Sequence, residues 1–138
     1  MKLGILAGAL ALCGLAGNAL AATATCPPIQ AIKQAPMDGG GFAYQSPGPT
    51  GSGQQWNGDN EEAKENFLAD SRFTDASYKA STNAVICSYE GAGDAGLRVV
   101  LKKVNGFAAA AGTAWNGEAC AGQDTAKCAF NYSSVTAP

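Results

Sequence analysis

Two stretches of the chain carry its clearest pattern. Asn83 to Tyr89 and Leu97 to Val104 are rich in β-branched and aromatic residues, and Glu90 to Gly96 between them are turn formers, which predicts a β-hairpin with a long loop. Alternation puts Val85, Cys87 and Tyr89 on one face of the first strand and Leu97, Val99 and Leu101 on one face of the second, so these six are expected to line the core. Arg98, Val100 and Lys102 fall on the opposite face, which is expected to be exposed. Weaker alternation predicts strands at Phe42 to Tyr44 and Gln54 to Asn57, joined by the Ser, Pro and Gly-rich loop Ser46 to Gly53. A further strand is expected at Phe73 to Tyr78 and a closing one at Lys127 to Tyr132. Near the start, Pro27 to Lys33 predicts one short helix, because proline is tolerated in a first turn and Ile29 and Ile32 share a face; Pro36 stops it. The acidic run Asp59 to Glu65 fits either a short helix capped by Asn60 or an irregular loop. Together these elements predict an α+β or mainly β fold: an antiparallel meander sheet of five or six strands with a short N-terminal helix laid on it.

Composition narrows the setting. Of 138 residues, the first 21 read as an export signal: Met1-Lys2, the uncharged apolar run Leu3 to Leu15, and Ala19-Leu20-Ala21 at the cleavage point. Cleavage after Ala21 leaves one domain over residues 22–138 and no membrane insertion afterwards. Lipidation at Cys13 is the rival reading, and Leu12 is too bulky for the position before a lipidated cysteine. Beyond residue 21 only 23 of 117 residues are Leu, Ile, Val, Met, Phe, Tyr or Trp, about a fifth, so the core is thin for a single domain. Loss of Cys13 with the signal leaves Cys26, Cys87, Cys120 and Cys128, an even number in an exported chain, and two disulfides are expected. Three connectivities are open. Cys26 with Cys87 and Cys120 with Cys128 is the preferred one, since it ties the N-terminal segment to a central strand and closes one short loop. The spacings lack a Cys-x2-Cys pair, and the chain has no histidine, which speaks against zinc.

Charge and missing residue types remove whole classes of function. The expected mature chain carries eleven carboxylates against eight Lys and Arg, a net charge of −3, so a basic nucleic-acid surface is not expected. Without histidine there is no Ser-His-Asp or Cys-His arrangement, and the chain is expected not to be an enzyme. Asp59, Glu61, Glu62, Glu65 and Asp70 are the dense supply for a carboxylate-only hydrolase, and a solvated charged face is the preferred account of them. They lack the alternating ligands of a calcium loop, and Asp38 to Gly41 lacks the lysine of a phosphate loop, so no metal or cofactor is expected. Ser52 lacks the spacing of a nucleophile elbow, and Asn131-Tyr132-Ser133 is a glycosylation acceptor in form. Surface recognition remains. Trp56 and Trp115 each precede Asn-Gly and so sit at the mouths of expected turns, where an aromatic can anchor a partner; Tyr44 is a third candidate. The competing account is that each Trp closes an end of the thin core.

Cys26-Pro27-Pro28-Ile29 with Ile32-Lys33, Trp56, Phe73-Thr74-Asp75-Ala76 and Cys87-Ser88-Tyr89-Glu90 resemble segments of small exported two-disulfide periplasmic proteins of gammaproteobacteria, some of them accessories of type IV secretion. The resemblance implies a non-catalytic periplasmic protein whose partner is an envelope or secretion-system protein. An extracellular inhibitor or effector that binds a host or competitor enzyme is the alternative, because a rigid disulfide-bonded scaffold is preorganised for binding.

Overall fold

The computed structural model describes residues 22–137. The export signal read at residues 1–21, and Cys13 within it, lie outside the described residues.

The predicted hairpin forms as β6 (Ala84–Gly91) and β7 (Gly96–Leu101). Its six predicted core residues are all buried, and its loop closes through Gly91 N–H to the Ala95 carbonyl. β5 (Ser71–Lys79) precedes it and pairs with β6, which makes an antiparallel meander β5-β6-β7. A second meander runs earlier in the chain: β2 (Lys33–Pro36), β3 (Phe42–Pro47) and β4 (Gln55–Asn60). The Ser, Pro and Gly-rich loop joins β3 to β4 as expected, held by Gly48 N–H to the Gln54 carbonyl.

The two meanders join through β4 and β7, and here the structure departs from the predicted topology. With the short strands β10 (Trp115–Asn116) and β11 (Ala119–Ala121) added beside β5, the main sheet has eight strands in the order β10-β11-β5-β6-β7-β4-β3-β2. It is neither five or six strands nor a simple meander. To pass from β4 to β5 the chain must cross β7 and β6, and the acidic segment does so. Asn60 ends β4 instead of opening a helix, and its side-chain oxygen accepts from Glu62 N–H. The helix comes later as the single turn α1 (Phe67–Asp70), anchored by buried Phe67 and by Ser71 Oγ donating to the Phe67 carbonyl at 2.7 Å.

The N-terminal helix also needs correction. Only Ile29–Ala31 turn, as one 3-10 turn, and Lys33 already belongs to β2. Residues three apart share a face in a 3-10 turn as well, so the Ile29 and Ile32 spacing did not demand more than one turn.

A second layer covers one face of the main sheet. It contains β1 (Ala22–Ala24), β12 (Phe130–Tyr132) and β9 (Ala108–Ala109) in the order β1-β12-β9, beside the pair β8 (Val104–Asn105) and β13 (Ser134–Val135). The predicted closing strand is thus β12, in this small sheet and not in the main one. Both disulfides stitch the layers: Cys26 joins Cys87 of β6, and Cys120 of β11 joins Cys128, in the 3-10 turn before β12. This is the preferred connectivity. With sequence separations of 61 and 8 residues, chain-entropy arguments give about 4 and about 2.5 kcal/mol, large terms for a domain with so few bulky apolar residues. Tyr89 adds a polar tie between layers, its hydroxyl donating to the Pro27 carbonyl.

Candidate functional site

The three residues singled out as partner anchors go to two different places. Tyr44 and Trp56 lie on the covered face of β3 and β4, at 0% and 2% exposure, and both belong to the core. Neither is available to a partner, which corrects the expectation. Asn57-Gly58, read as a turn, is instead the middle of β4. Trp115 does precede a turn, but it is half-buried: its ring meets Phe107 edge-on at 5.0 Å and its Nε1 donates to the Ala129 carbonyl at 3.0 Å. Phe107 in turn stacks on Tyr78 at 4.0 Å, so Trp115 closes an aromatic cluster between the layers.

What the fold leaves open is the other face of the main sheet. Strand pairing lines up Ala119, Ser77, Ile86, Val100, Asn57 and Gln45 in one row that ends at Lys33, crossing seven strands. Among the described residues no second layer covers this row. Its centre, Ile86 and Val100, is half-buried only by its neighbours, and Arg98 and Lys102 beside it are exposed as the alternation predicted. A bulge between Phe73 and Asp75 sets the register of β5. The extra residue, Thr74, bonds to the Ser88 carbonyl at 3.2 Å and to Asp75 Oδ1 at 2.8 Å, and the shift turns Asp75 onto the open face while Phe73 and Ala76 stay inside.

Two clefts flank the joint between β4 and β7 on this face. One, of about 470 Å³, is lined by Ala43, Gln45, Gln55, Asn57, Val100 and Lys102, in which three amide side chains alternate with apolar ones beside a single cation. The other, of about 580 Å³, is lined by Asp59, Asp75, Ser88, Glu90, Asp94 and Arg98. The joint is tight: a Cβ on Gly58 would stand 1.8 Å from the Arg98 carbonyl oxygen, so only glycine lets the two strands meet. Five of the eight Lys and Arg beyond residue 21 (Lys33, Arg72, Lys79, Arg98 and Lys102) fall on this face by strand alternation, against four of the eleven carboxylates, Asp59, Asp75 and Glu90 from the strands and Asp94 at the second cleft. The face is therefore richer in cations than the chain as a whole, and among the described residues no aromatic ring projects from its strands.

The main sheet is poorly suited to growth at its edges. β10 is two residues long and β2 is four, ending in Pro36, both of which discourage strand addition. A third hollow, of about 450 Å³, opens between the layers beside β1, walled by Pro27, Pro28, Pro47 and Pro49 with Trp56 at its floor. Among the described residues no three His, Cys, Asp or Glu side chains converge to hold a metal ion, and no helix is long and apolar enough to cross a membrane.

Sequence reasoning found part of the open face, through Arg98, Val100 and Lys102. It missed Gln45, Gln55, Asn57 and Asp59, whose period-two alternation against Tyr44, Ser46 and Trp56 was the available signal. Compared with known proteins, the chain matches no family model, no curated protein and no solved structure.

Proposed function

We propose that this is a non-catalytic accessory or binding protein of the cell envelope that docks a protein partner on the open face of its main sheet. The observation that carries the reading is an eight-stranded sheet sealed on one side by a second layer tied to it through two disulfides and left bare on the other by the described residues, with a charged and amide-bearing surface. A rigid bare face of mixed polarity suits a partner with complementary charges, because exposed charges steer encounter and fix register. The disulfides fit an oxidising compartment outside the cytoplasm, for which the periplasm is our proposal. The sequence resemblance points to a type IV secretion system as the assembly engaged.

The test is site-specific crosslinking in intact cells, with a photoreactive residue at Gln45, Asn57 or Arg98 and a control at Asn66 on the crossover segment. Capture of the same envelope or secretion-channel protein from the three face positions, and not from Asn66, is expected. Uncrosslinked protein recovered in the culture medium would overturn the reading and favour the secreted inhibitor or effector.

A further inference from the structure

Three Asn-Gly pairs lie in the described chain: Asn57-Gly58, Asn105-Gly106 and Asn116-Gly117. In such a pair the glycine nitrogen can attack the asparagine side-chain carbon Cγ. A bond from that nitrogen to Cγ forms, the bond from Cγ to Nδ2 breaks, and Nδ2 leaves as ammonia with the proton of the glycine N–H. Water then opens the five-membered imide at either carbonyl, giving aspartate or isoaspartate. Glycine does not crowd the attacking nitrogen, so what separates the three pairs is whether the fold lets that nitrogen swing toward Cγ.

At two of them it does not. Asn57 is pinned between Gln45 of β3 and Val100 of β7, Gly58 faces Tyr44, and Asn57 Nδ2 donates to the Gln55 carbonyl at 3.3 Å. The Gly58 backbone lies so close to β7 that a Cβ there would run into the Arg98 carbonyl oxygen, and a swing of its nitrogen toward Cγ must first part the two strands. Asn105 is held in the pair β8-β13: its Nδ2 donates to Ser134 Oγ at 3.1 Å, and its carbonyl accepts from Ser133 N–H at 2.8 Å and Ser133 Oγ at 3.0 Å. A Cβ on Gly106 would stand 2.5 Å from Ser133 Oγ, which shows how closely that turn is packed.

Asn116 lacks these restraints. It is the last residue of a two-residue edge strand, followed by the turn Gly117-Glu118 that leads into β11. Asn116, Gly117 and Glu118 are all exposed, and nothing lies within 4 Å of where a Gly117 Cβ would be. Among the described residues neither the Asn116 side chain nor the Gly117 nitrogen has a hydrogen-bond partner outside the hairpin ladder.

We propose that Asn116 is the protein's site of spontaneous conversion of an amide to a carboxylate through an imide with Gly117, and that the fold protects Asn57 and Asn105. Conversion places a new negative charge beside Trp115, and the isoaspartate form inserts a methylene into the main chain at the β10-β11 turn. The chemistry thus changes the end of the main sheet while leaving Asn57, in the centre of the open face, intact.

The experiment incubates the oxidised, signal-free protein at mildly alkaline pH and follows each Asn-Gly peptide by mass spectrometry with isoaspartate detection. In the folded protein Asn116 is expected to convert at least about tenfold faster than Asn57 or Asn105, since those two react only after local opening that costs more than about 1.4 kcal/mol. In the reduced, denatured chain the three rates are expected to converge. Equal rates in the folded protein, or an equal advantage for Asn116 in the denatured chain, would overturn the proposal, the second because local sequence and not the fold would then set the order.

Discussion

Trp56-Asn57-Gly58 and Trp115-Asn116-Gly117 are the same tripeptide with opposite fates. The first lies inside β4, a six-residue strand with a partner on each side, and its Trp is 2% exposed in the core. The second ends a two-residue strand at the sheet edge, and its Trp is half-buried against Phe107. Gly117 takes φ +63° and turns the chain, whereas Gly58 does not use the left-handed region at all. Glycine permits a turn and does not impose one. At Gly58 the missing side chain serves a different purpose, the close approach of β7. What decides between the two uses is which strand comes alongside, a long-range fact that three residues cannot carry.

The comparison breaks most readily at the two tryptophans. Trp56→Ala empties a buried core site and is expected to cost about 3 to 5 kcal/mol, while Trp115→Ala gives up a half-exposed ring, one edge-on contact and one hydrogen bond, about 1 to 2 kcal/mol. Urea unfolding of both variants with the disulfides intact measures the difference, and equal losses would mean that the two sites are not distinct as described. The glycines sharpen the same point at smaller scale. Gly58→Ala forces β4 away from the Arg98 carbonyl and is expected to cost about 2 to 3 kcal/mol. Gly117→Ala meets open space and pays only for a left-handed backbone, about 1 kcal/mol. Hydrogen exchange should show new opening of β4 and β7 in the first variant and of β10 and β11 alone in the second.

The parts of the fold that the residues announced are those held by local pattern. Val85, Cys87 and Tyr89 against Leu97, Val99 and Leu101 alternate over one hairpin, and that hairpin is the centre of the sheet. The joint of the two meanders announced itself nowhere, because it rests on one paired position, Asn57 with Val100, and on a glycine that resembled a turn signal. The crossover through α1 was hidden for a related reason: its four residues are held by Phe67 against distant strands and not by any helical periodicity. At the open face, Arg98 and Lys102 were legible as a polar side of a strong strand. Gln45, Gln55 and Asn57 were not, since Pro, Gly and Ser around them blur the alternation that buries Tyr44 and Trp56.

The smallest expected effect sits opposite Gly58, at Tyr44. Its hydroxyl is buried and has no hydrogen-bond partner among the described residues, whereas the Tyr89 hydroxyl donates to the Pro27 carbonyl. Tyr89→Phe leaves that carbonyl short of a donor and is expected to cost about 1 kcal/mol; Tyr44→Phe removes a polar atom that gains nothing, so a change of no more than about 0.5 kcal/mol, or a slight gain, is expected. Burial pushes the pKa of both phenols upward in the folded chain. Their neutral forms are therefore favoured by folding, and this contribution is complete below the unfolded value near pH 10 and is lost as the pH rises beyond it, when the unfolded chain releases protons that the folded chain retains. Unfolding free energy measured from pH 8 to 11 should fall at the alkaline end in the parent protein, less steeply in Tyr89→Phe, and by an intermediate amount in Tyr44→Phe. A parent curve that stays flat to pH 11 would mean that both phenols ionise as freely in the folded chain as outside it, and the enclosed environment assigned to Trp56 and its neighbours would fall with them.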